Sequence, residues 1–497
     1  MFKAEFELEA ITPIFMRGAD QTKAEIRSSS IKGLMRWWFR ALAGNYFGND
    51  VDKLREAEEE IFGSTKRRSG VVVEVNVDKV VEANDKYDKY KLKPIKAEYE
   101  ITYDRRRNVL RTKAKSIKIH LIKSKDSNYE EIEEVDLPNY LFFSIKMFID
   151  EIARNCLETV LSRHGIRNRF NNEDHMKSIL RKRGLNYPTD LEKEFQKEFN
   201  QNVLKYYPAG TKFQLKIKAL DERSFRIALA SLWAFVTLGG IGFRSRRGAG
   251  SIGVVKVKRV YPEKLKEKVE KFFEYDWRSI KEASLFWDSS FKQLCNKFDV
   301  ENIVEEDMFR YPSIRKLTVL ECSKFFDTYI GALLKLEQAY AGELKGSGKH
   351  SRYVGGIRFE FADKNFSHTV IERFKQNSEL EENTTERRFY FGLPLIYSNW
   401  KTEVNGYNEI NSRNPFRRRG SSIILTVKKD GEKYVPIVVI LPYQFLPNHE
   451  GRFVAVKRNR NLVFQLATNN DWFVKWLKKN VVEGFEKRGF VKVYPKE

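Results

Sequence analysis

The stretch Gly239-Gly240-Ile241-Gly242-Phe243-Arg244-Ser245-Arg246-Arg247-Gly248-Ala249-Gly250 packs five glycines and three arginines into twelve residues with no acid. What flanks it decides the fold. Upstream, Phe213, Leu215 and Ile217 alternate with Gln214, Lys216 and Lys218 as a half-buried strand does. Asp221 then opens a helical pattern that reaches Leu238, and Gly239 is the residue type that ends one. Downstream, Ser251 to Val260 returns as a strand. Strand, helix, glycine loop and strand thus follow one another.

The N-terminus supplies the matching half. Phe2, Ala4, Phe6, Leu8 and Ala10 alternate with Lys3, Glu5, Glu7 and Glu9, the period of a strand. Ser28-Ser29-Ser30 offers N-caps for a helix from Ile31 to about Phe47. Ile31, Leu34, Met35, Trp38, Ala41 and Leu42 fall on one side of it, with Lys32, Arg36 and Arg40 as a stripe beside them. Val71 to Val77 and Ser116 to Ile122 read as strands separated by a charged excursion, and Leu137 to Leu161 as a helix. The order is a split βαβ, or ferredoxin-like and RRM-like, unit carrying insertions. The fold class is α+β. We place a domain junction near Tyr261, giving residues 1–261 and 262–497. Pro262 to about Lys297 is helical in pattern. Strand-like runs follow at Val354 to Phe361, Phe389 to Ile396 and Ile423 to Val427, with a turn at Lys429-Asp430-Gly431-Glu432 before Tyr434 to Leu441. A helix from Trp472 to about Glu486 and a strand from Phe490 to Tyr494 complete a second α+β domain, expected to be ferredoxin-like with a helical insertion.

Length and charge narrow the function. A chain of 497 residues exceeds what one core organises, and 41% hydrophobic residues suffice for two. Lys and Arg outnumber Asp and Glu by 91 to 68, a net +23, so a polyanion is the expected partner and nucleic acid the first candidate. The longest apolar run, Ile227 to Phe243, is glycine-broken and short for a bilayer, so no membrane role is expected. Cys156, Cys295 and Cys322 stand far apart, as in a cytoplasmic protein without disulfides or a zinc site. The charged fraction, 32%, is compatible with a thermophile.

Glycines let a backbone approach a ligand, and arginine forks match phosphate oxygens, so Gly239, Gly240, Gly242, Gly248 and Gly250 with Arg244, Arg246 and Arg247 suit a nucleic-acid backbone; a solvated turn is the plainer reading. Lys32, Arg36 and Arg40, with Arg17 and Arg27 upstream, could add a cationic rail beside a helix N-terminus, although such a stripe is usually a wet face. Trp37 could stack on a base or simply pack. Two further basic stretches are Arg105-Arg106-Arg107 with Arg111, Lys113, Lys115 and Lys118, and Arg413 with Arg417, Arg418, Arg419 and Gly420. The latter echoes the glycine loop as an Arg-rich, glycine-ended run before a strand, a hint of an internal repeat. Gly346-Ser347-Gly348-Lys349-His350 fails as a phosphate loop, because Glu343 and His350 stand where Gly and Ser/Thr are needed. The six histidines (His120, His164, His175, His350, His368 and His449) lack ligand spacing, and we expect neither metal nor cofactor. His164 is the best acid–base candidate for RNA cleavage.

Two stretches carry a family resemblance: Ile11-Thr12-Pro13-Ile14-Phe15-Met16-Arg17-Gly18-Ala19-Asp20, and Ile26-Arg27-Ser28-Ser29-Ser30-Ile31-Lys32-Gly33-Leu34-Met35-Arg36-Trp37-Trp38-Phe39-Arg40. With the glycine loop in its place between last helix and last strand, they resemble the RAMP superfamily of CRISPR proteins, within it the first subunits of type III-B Cmr effector complexes. The resemblance covers about the first half of the chain. It implies two ferredoxin-like domains, contact with guide RNA and target RNA near the guide 3′ end, assembly with other Cmr subunits, and no catalysis by this subunit. Two rivals stay open: a RAMP endoribonuclease processing guide precursors, and a protein-binding scaffold.

Overall fold

The computed structural model describes residues 1–18, 23–77, 93–125, 129–138, 141–300, 311–341, 344–345, 349–350, 353–354, 357–358, 395–397, 402–407, 420–443, 453–458, 461–466 and 470–495. Its architecture is mixed α+β. β1 (Phe2–Ala10) leads to α1 (Ser28–Phe47), α2 (Val51–Phe62) and β2 (Val71–Asn76). An excursion then builds its own antiparallel sheet from β3 (Lys96–Asp104), β4 (Val109–Lys125) and β5 (Tyr129–Asp136), followed by α3 (Phe143–Arg163), α4 (Glu173–Lys182) and α5 (Thr189–Asn202). The strand read at Ser116 to Ile122 lies inside β4, in this separate sheet. β6 (Lys212–Ala219), α6 (Glu222–Leu238) and β7 (Ile252–Tyr261) complete the first sheet, whose order is β2-β6-β1-β7 with every neighbouring pair antiparallel.

Period-two patterning explains that sheet. Ala4, Phe6 and Leu8 of β1 are fully buried on one face. The opposite face is an ion-pair lattice, with Glu5 at 2.6 Å from Lys3 and 3.2 Å from Lys216, and Glu7 at 2.8 Å from Lys258. The lysines draw the carboxyls of Glu5 and Glu7 below their ordinary range against the opposing effect of burial. No aromatic side chain stands on that face of β1, and exposed Tyr261 pairs with Lys3 at the end of β7.

α7 (Lys266–Glu274) lies along β7 and meets α6 where Phe272 faces Trp233, and α8 (Ile280–Lys297) packs back onto α6. The Phe272 and Phe286 rings stack at 4.0 Å, and Trp233 meets Trp287 at 5.4 Å, so apolar contacts run on past Tyr261. Then come β8 (Thr318–Cys322), α9 (Tyr329–Ala341), the hairpin β9 (Ile423–Asp430) and β10 (Lys433–Ile440), α10 (Asn470–Trp476), a wide helical turn over 477–481, α11 (Val482–Glu486) and β11 (Phe490–Tyr494). The second sheet runs β9-β10-β8-β11, again antiparallel throughout. Counted along the chain, both sheets have the order second, third, first, fourth. A further antiparallel sheet joins Leu395–Tyr397, Thr402–Tyr407, Phe453–Arg458 and Asn461–Leu466.

The second sheet is buried on both faces. Leu320, Leu425, Val427 and Val438 face the core that holds α9 and α11, while Val319, Ile424, Ile437 and Val439 join the core of the first sheet and its helices. Burial on two sides explains why 423–427 and 435–440 read as near-continuous apolar runs instead of alternation. α6 is caught between the sheets, with 13 of its 17 residues buried. A helix apolar all round needs such company.

Candidate nucleic-acid interface

Gly239 ends α6, its N–H donating to the Phe235 carbonyl at 3.1 Å. The loop then folds against the chain itself. Gly242, at φ +85°, lies so near the Phe15 carbonyl that a Cβ would sit 2.6 Å from its oxygen. At Gly250, φ +62°, a Cβ would sit 1.8 Å from the Ile241 oxygen, so a side chain there is barred by both conformation and space. Gly239, Gly240 and Gly248 press on Trp38, the Gly250 carbonyl and Leu333 respectively.

The loop arginines are engaged within the chain. Arg244 Nε donates to the Leu141 carbonyl at 2.5 Å. Arg246 donates to the Ser421 carbonyl and lies 4.5 Å over the Trp37 ring, which places Trp37 under a guanidinium. Arg247 donates to the Ile423 carbonyl at 3.1 Å and covers Tyr340 at 4.8 Å. Arg247 also bridges Leu425 in parallel register, so the loop forms a fringe on the edge of β9. Gly420 sits directly against Arg246. The echo between the two Arg- and Gly-rich runs is thus a contact: the loop precedes the fourth strand of its sheet, whereas Gly420 precedes the second strand of the other. Arg413, Arg417, Arg418 and Arg419 lie outside the described residues.

Behind the fringe runs a buried polar seam. Ser251 Oγ is 3.0 Å from Thr426 Oγ1 and accepts from the Val427 N–H at 3.1 Å. Lys428, fully buried, donates to the carbonyls of Val236, Gly239 and Ile252. These close the C-terminal end of α6, where a cation is favoured. Burial pushes the Lys428 ammonium down to about 7.

The rail on α1 is also engaged within the chain. Lys32 donates to Ser69 Oγ at 2.8 Å and to the Val71 carbonyl at 3.0 Å. Arg36 and Arg40 share the buried carboxylate of Glu58, at 2.7 and 2.6 Å. Two further cations lie upstream. Arg27 is the N-cap of α1, and its Nε is buried with no hydrogen-bond partner. Arg17 lies 4.1 Å over the Phe148 ring and helps line a cavity of about 450 Å³ with Phe15, Met16, Ser30, Leu34, Ile145, Phe148, Leu204, Gly242 and Phe243. No acid is among these residues, and the first turn of α1 carries none. Burial lowers the pKa of Arg17 from a value so high that the charge is kept.

Arg17, Gly242 and Ser30 were legible as motif residues; Phe148 and Phe243 were not singled out. Phe243 gave a signal, being a large aromatic inside a glycine loop, and it is 43% exposed. Of the histidines, His164 caps α3 with its ring 2.9 Å from Glu194, and His120 lies 3.0 Å from the Tyr206 hydroxyl. Among the described residues no group of His, Cys, Asp and Glu is arranged to hold a metal, and no helix is long and apolar enough to cross a membrane.

The model of the RAMP superfamily matches residues 7–253, from β1 through the glycine loop into β7. The chain belongs to the RAMP superfamily, among the Cmr subunits of CRISPR systems. Of curated relatives, it is 35% identical over 254 residues to CRISPR system Cmr subunit Cmr1-2 of Pyrococcus furiosus, covering 51% of this chain and 96% of that one. It is 31% identical over 257 residues to Cmr1-1 of the same organism, covering 52% of this chain and 48% of that one. Similar solved structures include Cmr1 from Pyrococcus furiosus in its apo form, 22% identical over 99% of both chains with a TM-score of 0.42. A chain of the type III-B Cmr-beta complex bound to cognate target RNA is 16% identical over 97% of this chain and 99% of that one, with a TM-score of 0.44.

Proposed function

We propose that this chain is a non-catalytic RNA-binding subunit of a cytoplasmic type III-B Cmr effector complex, touching guide RNA or target RNA near the guide 3′ end beside other Cmr subunits. We further propose two ferredoxin-like units, within residues 1–261 and 262–497, in support of which stands the strand order that the two sheets share. The cavity at Arg17 carries the functional reading. Phe148, Phe243 and Leu34 give apolar walls for a nucleobase, and Arg17 with the acid-free start of α1 gives a place for its phosphate. Arg17 and Arg27 are the proposed direct contacts. Lys32, Arg36, Arg40, Arg244, Arg246 and Arg247, held on acceptors within the chain, shape the site and add to its positive potential. The same phosphate role is proposed for Arg417, Arg418 and Arg419. Base pairing, not side chains, would then read sequence.

Fluorescence anisotropy with a labelled four-nucleotide RNA tests the cavity. Phe243→Ala removes an exposed ring and should weaken binding about tenfold, as loss of one stacking contact does, with Arg17→Ala at least as damaging. Unchanged affinity in both variants would discard the cavity. Incubation with a labelled guide precursor should give no cuts, and cleavage lost in His164→Ala would instead make the chain a nuclease.

A further inference from the structure

The excursion between β2 and β6 ends in a cluster of exposed cations drawn from three segments far apart in sequence. In the turn between β3 and β4, Asp104 accepts from the Arg106 and Arg107 N–H groups at 3.0 and 3.2 Å, and Asn108 closes the turn at φ +54°. Both arginine side chains are exposed. The loop after α3 is clamped alongside. Asn168 exchanges two hydrogen bonds with the Leu110 backbone, at 2.7 and 3.0 Å, and the Phe170 N–H donates to the Asn108 carbonyl at 2.9 Å. That clamp sets exposed Arg167 and Arg169 next to the turn. The end of α4 adds Arg181, Lys182 and Arg183, also exposed, the Arg183 guanidinium lying within 4 Å of where a Cβ on Gly165 would sit.

Crowded like charges cost stability through repulsion, and elsewhere in the chain they are offset. On the first sheet glutamates alternate with lysines, and on α1 Glu58 takes two arginines. Here the nearby acids are taken up by other groups: Glu173 takes Arg105 at 3.0 Å and Lys177 at 2.9 Å, Asp104 takes Arg111 at 2.9 Å, Glu158 accepts from Asn168 at 2.8 Å, and Glu198 and Glu194 pair with Arg163 and His164. No large apolar side chain is exposed in the three segments, which speaks against a protein partner docking by hydrophobic contact. Rigid backbone beneath mobile guanidinium groups is what a phosphate chain requires.

We infer that this pole of the excursion is a second, sequence-independent binding site for the phosphate backbone of single-stranded RNA. The inference rests on the RNA-binding reading above and extends it to a different surface. α3 links the two places, with Ile145 and Phe148 at the cavity and Arg163 at the pole. Fifteen residues separate Phe148 from Arg163, a rise of about 22 Å at about 1.5 Å per residue. At about 3.4 Å per nucleotide that is roughly seven nucleotides of stacked strand. A four-nucleotide RNA seated in the cavity does not reach the pole, and a twenty-nucleotide RNA does.

The test compares these two RNAs by anisotropy across a salt series. The variant Arg106→Ala/Arg107→Ala/Arg167→Ala/Arg169→Ala should keep wild-type affinity for the short RNA and lose at least about tenfold for the long one. Its salt slope for the long RNA should fall by up to about three units, the loss of four phosphate contacts. Lysine at the same four positions should keep most of the affinity, which separates loss of charge from loss of fold. Wild-type affinity and slope for the long RNA in the alanine variant would overturn the inference. Failure of the cavity reads out separately, as Phe243→Ala having no effect on the short RNA while the pole variant still weakens the long one.

Discussion

Two arginine-rich turns in this chain look alike in sequence and serve differently in the structure. Arg244 to Arg247 lie half-buried at the seam between the sheets, their donors on the carbonyls of Leu141, Ser421 and Ile423. Arg105 to Arg107 lie at the tip of a hairpin, exposed, with one ion pair to Glu173. Composition cannot separate them. What does is the neighbourhood: one turn meets the edge of a strand whose carbonyls need donors, the other meets water. An arginine facing buried carbonyls stabilises the fold, whereas one facing water is available to a ligand.

The sharpest way to break this contrast is at Gly250. Valine there must clear the Ile241 carbonyl at positive φ, and we expect a loss of about 4 kcal/mol or more, seen as failure to purify folded protein. Wild-type melting behaviour in Gly250→Val would mean that the seam is not built as described. Next, Arg246→Ala/Arg247→Ala should cost about 3 kcal/mol in urea denaturation, since it strips charged donors from the carbonyls of Ser421 and Ile423. Arg106→Ala/Arg107→Ala should stay within about 0.5 kcal/mol. Equal effects of the two pairs would erase the distinction. The most gradual effect concerns Lys428. With its folded pKa down at about 7 and its unfolded value near the ordinary 10.4, the unfolded state binds the proton that the folded state sheds. Stability should therefore rise with pH through that window, by about 1 kcal/mol per unit. Lys428→Met should flatten the rise, and an identical pH profile would place the ammonium elsewhere.

Much of the fold was legible because periodicity and stop signals agree. The elements β1, α1, β2, β6, α6 and β7, and the ending of α6 at Gly239, follow from alternation, serine caps and glycine. α2, α4 and α5 were harder, since their charged faces dilute the apolar stripe: Leu54, Ala57 and Ile61 are buried within a run of Glu, Lys and Arg. The strand at Ser116 to Ile122 was seen, but which sheet it joins depends on partners that one strand's pattern does not name. In the candidate site, Arg17 and the glycine loop stood out as motifs. The partners that hold Lys32, Arg36 and Arg40 did not, because Glu58 is only one glutamate among several on α2 until packing selects it. Lys428 did leave a trace, a charge at the end of an apolar strand, yet its acceptors lie some 190 residues away along the chain.

The position of β9 and β10 has a consequence for synthesis. β7 ends at Tyr261, but the hairpin that covers the far side of α6 ends at Ile440, about 180 residues later. At about 5 to 20 residues per second, the ribosome needs roughly 10 to 40 seconds to deliver it. During that interval the first sheet and its helices can form while one flank of α6 waits uncovered, so the nascent chain offers a chaperone an apolar helix that the finished protein hides.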